Sequence, residues 1–345
     1  MQMTKSEADQ EKLGVGLDIG TMNLIAARHV DGKLALRKVR DAFLDLEAGA
    51  QKTLKLSNVS YVPDPDDDNT LIVFGDSALT MANLFKRDVR RPLSAGVIAA
   101  GELDAQKILG ILIHHVIEEP MQEGEHCYYS VPAAPLDDLS QDIVYHTEIF
   151  RRILRERGYT PHPMNEAMAI VYSQCAAEQF SGLTLSFGAG MMNVALAYQT
   201  MKGLDFSLAR SGDWVDQHAA KAIGATASRM CSVKEQGVNL AKPTSREEEA
   251  LVLYIRALIR YCLENVVNQF RRQQASISLP GPVPLVLSGG TAKAGGFLEV
   301  FQEEFFAIKK RSFPFQISEI RMARDPLTAV AEGLLVLAGE EYAEG

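Results

Sequence analysis

Apolar and polar positions alternate through "GVGLDIGT" (14–21), with Val15, Leu17 and Ile19 on one face, which predicts a strand running into a tight turn. "NLIAARHV" leaves that turn as a second strand, "DGK" (31–33) turns the chain again, and "KLALRKV" continues as a third. Between "SNVSYVP" and "TLIVFGDSA" the same alternation predicts a hairpin with "DPDDDN" (64–69) at its tip. Helical spacing follows around 76–88 and 102–118. "HCYYSVPAA" (126–134) reads as a strand ending at a proline-marked turn, and "LDDLSQDIVYHTEIFRRILRERG" (136–158) as a helix stopped by Gly158.

The pattern then restarts. "LTLSFG", "MNVALAYQ" and "LDFSLARSG" read as three strands, and a helical stretch is expected after "SGDWVD" (211–216). "SREEEALVLYIRALIRYCLENVVNQFRRQQ" (245–274) is the clearest helix in the chain. Ser245 and Glu248 form a capping box at its start, and Arg271 and Arg272 sit at its negative end. Leu251, Ile255, Leu258, Cys262, Val266 and Phe270 recur at helical spacing and predict a buried stripe. "GPVPLVLSGGTAKAGGF" (281–297) is a short apolar strand breaking into glycine. Each half thus opens with a strand–turn–strand unit, adds a third strand and continues into helices, the mark of internal duplication. If the two opening turns face each other, they enclose a cleft between two domains.

At 345 residues the chain is long enough for two such domains without disulfides or metals to hold them. A net charge of −9 disfavours a nucleic-acid partner, and "FKRDVRRPL" (85–93) is the best local exception, without aromatic interleaving or a basic background. Cys127, Cys175, Cys231 and Cys262 are scattered, with no metal-type spacing, and read as reduced, mostly buried thiols. His114 and His115 are adjacent in a helical run, where neighbours point about 100° apart, and read as a helix end rather than a ligand pair. "DPDDDN" lacks the spaced calcium-loop order and reads as a solvated turn. No apolar run reaches the roughly 18–20 residues of a membrane span. "MQMTKSEADQEK" has neither a signal-peptide pattern nor an apolar helical face, and residues 1–12 are expected to be a flexible N-terminus. The expectation is a cytoplasmic protein without direct membrane insertion.

A turn of glycine and small residues exposes successive backbone N–H groups as an anion-binding nest. One such turn alone reads rather as an ordinary hairpin; three, each directly after an apolar strand, point to phosphate. "LDIGTMN" (17–23), "LSFGAGMMN" (185–193) and "LSGGTAKAGG" (287–296) resemble the two phosphate loops and the adenosine loop of the actin-like ATPase superfamily. "RRPLSAGVIA" (90–99), "SGDWVD" (211–216) and "DPLTAVAEG" (325–333) resemble the bacterial actins of the MreB and MamK type, and "CSVKEQ" (231–236) a nucleotide-contacting helix of actin and MamK. The resemblance runs from about residue 13 to 338. It implies an α/β actin-like ATPase fold of two duplicated ribonuclease H-like domains around a nucleotide cleft. Domain I would comprise 13–165 plus 326–345, and domain II 166–325 with a shortened outer subdomain.

The resemblance also implies roles. The backbone of Gly20, Thr21, Met22 and Asn23 would hold phosphate from one domain, and Gly188, Ala189 and Gly190 from the other. Asp18 would hold Mg²⁺ through water. Gly289, Gly290 and Thr291 would let the backbone approach the adenosine. Lys234 and Glu235 would reach the ribose or base edge, or else form a solvated pair. Glu166, in "PMNEAMAIVYS", falls where MreB-type proteins carry the glutamate that orients attacking water, although an acid in a first helical turn is also favoured by the helix dipole.

The second loop departs from the family pattern Asp-x-Gly-Gly-Gly-Thr-Thr-Asp. Ser186, Ala189, Met191, Met192 and Asn193 stand where Asp, Gly, Thr, Thr and Asp are expected. That removes one Mg²⁺-facing carboxylate at Ser186 and two hydroxyls, and predicts slow hydrolysis with ATP/ADP and Mg²⁺ binding retained. The function implied is an actin-like cytoskeletal ATPase that assembles with itself into filaments, serving an unidentified cargo or regulatory protein and no nucleic acid. The alternative is a nonpolymerising ATP-dependent switch, scaffold or chaperone-like factor of the same fold. A sugar kinase is a third, which would need an Asp base beside the substrate hydroxyl.

Overall fold

The structure, a computed structural model, describes residues 13–343 apart from 86, 139 and 274–278; the expected flexible segment 1–12 lies outside the described residues. The first half opens with β1 (Val15–Ile19), β2 (Asn23–Val30) and β3 (Lys33–Arg40). An outer unit follows: β4 (Phe43–Glu47), α1 (Gln51–Leu56), β5 (Tyr61–Asp64), β6 (Asp67–Phe74) and α2 (Asp76–Phe85). After it come the short hairpin of β7 (Leu93–Ser94) and β8 (Val97–Ile98), then α3 (Ala105–Val116), β9 (His126–Val131), α4 (Ile143–Glu156), β10 (Thr160–Asn165) and α5 (Glu166–Gln174). The second half runs β11 (Gly182–Phe187), β12 (Met192–Tyr198), β13 (Met201–Leu208), α6 (Gly212–Ile223), α7 (Ala227–Glu235) and α8 (Arg246–Gln273). It closes with β14 (Val283–Ser288), α9 (Phe297–Ser312), β15 (Ile317–Met322) and α10 (Ala329–Glu340).

The repeat seen in the sequence is a repeat of topology. One five-stranded sheet has the order β10-β9-β1-β2-β3 and the other β15-β14-β11-β12-β13. In each, the opening strand is central, two antiparallel strands extend it on one side, and two parallel strands extend it on the other. Strand–helix–strand crossovers supply the parallel strands, which places helices against both sheets. Leu17, Leu24, Cys127, Tyr129 and Phe150 belong to the core of the first half, and Leu185, Val194, Leu258, Leu287 and Phe301 to that of the second.

Helices α5 and α10 lie between the two sheets. α10 packs on β1, β2 and β9, α5 packs on β11 and β12, and the two helices cross each other. The crossing is close: a β-carbon on Gly333 would stand 1.8 Å from the Ala169 carbonyl oxygen. The predicted buried stripe of α8 is fully interior, from Leu251 to Phe270. Ser245 caps it as expected, its Oγ accepting from Glu248 N at 3.2 Å, while the return bond is displaced by one residue, Glu248 accepting from Thr244 N at 2.6 Å.

Two helix starts differ from expectation. α4 begins at Ile143, because Asp142 accepts from Tyr145 N at 2.8 Å and caps the helix there, while the preceding Asp137 and Asp138 engage their surroundings as a loop. α6 begins at Gly212, inside "SGDWVD", because Gly212 N and Asp213 N are held by carbonyls of the Gly188 turn. The arginines of "FKRDVRRPL" are engaged within the fold: Arg90 pairs with Asp45, Glu102 and Asp104, and Arg87 donates to the Asp45 carbonyl. Lys107 holds Asp64 and Asp66 of the acidic hairpin tip. Cys127, Cys175 and Cys262 are buried; Cys231 is partly exposed. Among the described residues no helix is long and apolar enough to cross a membrane.

Candidate functional site

The carboxyl ends of the central strands β1 and β11 point into one cleft, the usual place for a ligand in sheets of this topology. A cavity of about 420 Å³ fills it. Every residue expected to hold nucleotide, metal or the attacking water lines this cavity: Asp18, Gly20, Thr21, Met22 and Asn23 from the first turn, Gly188, Ala189 and Gly190 from the second, Gly289, Gly290 and Thr291 from the third, with Glu166, Lys234 and Glu235.

Its floor is acidic. Asp18 closes β1, where the Ser130 hydroxyl donates to Oδ1 at 3.0 Å and itself accepts from Ile19 N at 2.7 Å. Glu166 is the first residue of α5, delivered there because Asn165 caps the helix by accepting from Met168 N at 3.1 Å. Burial pushes the Asp18 carboxyl up to about 7, partly offset by Ser130. Burial and then the negative charge of Asp18 push Glu166 up to about 8, partly offset by Asn193. Two carboxylates that cannot both ionise cheaply form a hard-oxygen donor set suited to a divalent cation such as Mg²⁺, which would supply the missing positive charge. Asn193 explains one departure from the family pattern. Its Nδ2 donates to Glu166 Oε2 at 2.8 Å while its Oδ1 accepts from Ser207 and from Ala133 N. An aspartate there would face Glu166 with a third negative charge.

The two turns are braced against each other. The tip of the β7–β8 hairpin, Ala95–Gly96, reaches between them, and Gly96 N donates to Thr21 Oγ1 at 3.1 Å. A β-carbon on Gly190 would stand 2.5 Å from both Gly96 N and Thr21 Oγ1, so no larger residue fits this junction. Met191 is buried and lies against Gly96, so packing replaces the hydroxyl expected at that position. Asp41 holds the hairpin from behind by accepting from Leu93 N at 3.1 Å; burial pushes its carboxyl well above the usual range. On the other side the Gly188 carbonyl accepts from Gly212 N, Ser211 Oγ and Thr291 Oγ1 at 3.1, 2.7 and 2.9 Å. The second turn is thereby fixed to the start of α6 and to the third turn.

The rim carries residues that sequence reasoning missed. Lys234 is not a solvated neighbour of Glu235: it is mostly buried and bonds the Asp216 carboxylate at 2.8 Å and the Gly212 carbonyl at 3.3 Å. Glu235 faces the other half, 3.4 Å from Arg40, which also bonds Asp76 at 2.9 Å. Arg91 reaches Asp213 across the same gap at 3.6 Å. Ser130 and Arg40 carry no local motif, and Asp216, although the last residue of "SGDWVD", gives no sign there of its partner Lys234.

The comparisons with known proteins agree with this architecture. The chain is similar to the subunit of the MamK double helical filament, with 20% identity, a TM-score of 0.70 and coverage of 94% of this chain and 98% of that one. MreB 5 of Spiroplasma citri bound to AMPPNP gives 17% identity, a TM-score of 0.65 and coverage of 96% and 98%. Ethanolamine utilization protein EutJ from Carboxydothermus hydrogenoformans gives 14%, 0.53, and 94% and 89%. No curated protein is a significant match in sequence. At these identities the likeness is one of fold, and the fold is the expected actin-like ATPase fold. The Volactin family matches residues 13–338, from the start of the first strand into the helix between the sheets, and the chain belongs to the Volactin family.

Proposed function

We propose that this protein is a cytoskeletal ATPase that binds Mg²⁺ and ATP in the cleft and assembles with itself into filaments. The observation that carries this reading is the convergence of three glycine turns and two buried carboxylates on one cavity between two equivalent sheets. In this reading the lobes are 13–165 with 326–345, and 166–325, an assignment supported by the packing of α10 on the first sheet and α5 on the second. The N–H groups of Gly20, Thr21, Met22 and Asn23 bind phosphate from one side and those of Gly188, Ala189 and Gly190 from the other. Gly289, Gly290 and Thr291 lie along the adenosine, and Lys234, fixed by Asp216, shapes the ribose edge beside Glu235.

Asp18 and Glu166 would hold Mg²⁺ through its water shell, and the ion, when bound, neutralises phosphate charge. Glu166, steadied by Asn193, orients the attacking water and accepts its proton; Ser130 keeps Asp18 aimed into the cleft. Hydrolysis is slow because Ser186 supplies no carboxylate, and Met191 and Met192 no hydroxyl, at the second turn. The MamK and MreB relatives support the reading in kind: one is solved as a filament, and MreB 5 and a non-polymerising MamK mutant with AMPPNP bound. Heterologous subunit contacts that do not close into a ring give such filaments. A net charge of −9 argues against nucleic acid, and a cytoplasmic location with an unidentified cargo or regulator completes the proposal.

One observation favours a nonpolymerising switch instead. The first half has a three-stranded outer sheet, whereas among the described residues the chain between β13 and β14 forms only helices. Sedimentation of the purified protein with ATP, ADP and a slowly hydrolysed analogue, with phosphate release followed in the same tubes, separates the two. Nucleotide-dependent pelleting with slow phosphate release is expected. Binding without pelleting, confirmed by electron microscopy, selects the switch, and absence of nucleotide binding overturns both.

A further inference from the structure

The cleft lies at the carboxyl ends of β1 and β9; a second cluster of ligating side chains lies at the opposite end of the same sheet. His126 opens β9, and His162 lies two positions along from its register partner on the adjacent parallel strand β10. Nδ1 of His126 and Nε2 of His162 are 2.8 Å apart. Glu341, in the segment after α10, brings a carboxylate oxygen so that all three donor atoms lie within 4.8 Å of one another.

The surroundings orient these three groups. The Tyr128 hydroxyl donates to Glu341 Oε1 at 2.5 Å, and the Tyr128 ring stacks on His162 with centroids 4.7 Å apart. The Tyr342 hydroxyl accepts from His126 N at 2.9 Å, and its ring meets His126 edge-on at 5.2 Å. Aromatic walls and a carboxylate steadied by a hydroxyl are the outer-shell devices that fix ligands around a metal. Metal–nitrogen bonds of about 2.0–2.1 Å in a tetrahedral site put two imidazole nitrogens roughly 3.3 Å apart. Small ring rotations reach that from the observed spacing. Two neutral imidazoles and one carboxylate carry a charge of −1, and nitrogen–oxygen donors of this softness suit zinc rather than magnesium.

We infer that His126, His162 and Glu341 form a site for a divalent transition metal of the zinc class, with water completing the coordination. The bound ion staples the end of α10, the helix that lies between the two sheets, to the edge of the first sheet. The site is independent of nucleotide and needs nothing from the cleft.

The test uses the full-length protein, stripped with a chelator and held in excess Mg²⁺ so that the cleft carboxylates are occupied. Titration with Co²⁺ should give visible bands of four- or five-coordinate cobalt at one equivalent, displaced by Zn²⁺, and Zn²⁺ should raise the melting temperature. Glu341→Gln and His162→Gln should each weaken binding by about tenfold or more and abolish the thermal shift, while Asp18→Asn keeps both signals. Glu341 is exposed, so its variant reads the site even if His162→Gln misfolds. Wild-type protein without a stoichiometric cobalt spectrum overturns the inference, as does a spectrum unchanged in Glu341→Gln.

Discussion

At the scale of single residues, the carboxylates of Asp18 and Glu166 set the pH behaviour of the cleft. Both pKa values are raised above those of the unfolded chain, 3.8 and 4.5, so the folded protein holds these protons more tightly. Their contribution to stability is fully present below about pH 4 and is lost as pH rises through about 7 to 8. Without ligands, the melting temperature should fall over that window, and Glu166→Gln should flatten the fall by removing one buried charge. Melting curves at about pH 5 and pH 8.5 check this; equal slopes for both proteins would show that the two carboxylates do not share the cleft as described. Ser186 is buried on β11 in register with Asn193 and lines the same cavity. Ser186→Asp should therefore destabilise the metal-free protein and, with Mg²⁺ and ATP, raise phosphate release about tenfold, a change of about 1.4 kcal/mol in the barrier. An unchanged rate in a folded variant that still binds ATP would remove Ser186 from the chemistry.

Among the elements, the legible ones carry their own chemistry locally. The three glycine turns, the two opening three-stranded units and the stripe of α8 could be read because apolar periodicity and turn residues sit side by side in the chain. β10 could not: "TPHPMN" contains Pro161 and Pro163, which argue against a strand unless it lies at a sheet edge, and an edge is where it lies. β15 is likewise an edge strand, and its half-exposed "ISEIRM" shows no clean alternation. The start of α4 was obscured by three aspartates, each a possible cap, of which Asp142 takes the role. The cleft partners Ser130 and Arg40 were beyond reach for a different reason, since nothing near them in sequence marks whom they meet; Asp216 sits in "SGDWVD", but its bond to Lys234 is not legible there. The most sensitive element contact is the crossing of α5 and α10. Gly333→Ala adds a methyl group where the Ala169 carbonyl already sits, so the helices must part at a cost of about 3 kcal/mol. Gly339→Ala, on the same helix with open space around it, should be neutral or slightly stabilising. Chemical denaturation of the two variants separates helix propensity from the crossing; equal effects would place the strain elsewhere.

For the whole molecule, contacts between the halves fall into two groups with different consequences. At the back, the chain after β9 lies along β13: Leu136 N donates to the Ser207 carbonyl at 3.0 Å, and Asp137 accepts from Ala209 N and the Tyr261 hydroxyl, both at 2.8 Å. At the rim, Arg40 meets Glu235 and Arg91 meets Asp213 over longer, partly exposed distances of 3.4 and 3.6 Å. The back contacts are continuous with backbone pairing and resist separation, whereas exposed ion pairs are worth only about 0.2–1 kcal/mol each and break readily. This asymmetry predicts that the back acts as a hinge and the rim as a latch. Arg40→Ala and Glu235→Ala should each speed nucleotide release by about threefold, with the double variant little worse than either, because both remove one interaction. The effect should vanish at about 1 M salt, where the Debye length shrinks to roughly 3 Å. Asp137→Ala should instead lower the melting temperature and leave the salt dependence of release unchanged. Additive effects of Arg40→Ala and Glu235→Ala in stopped-flow release would mean that the two residues act on the nucleotide separately and that the rim holds no latch.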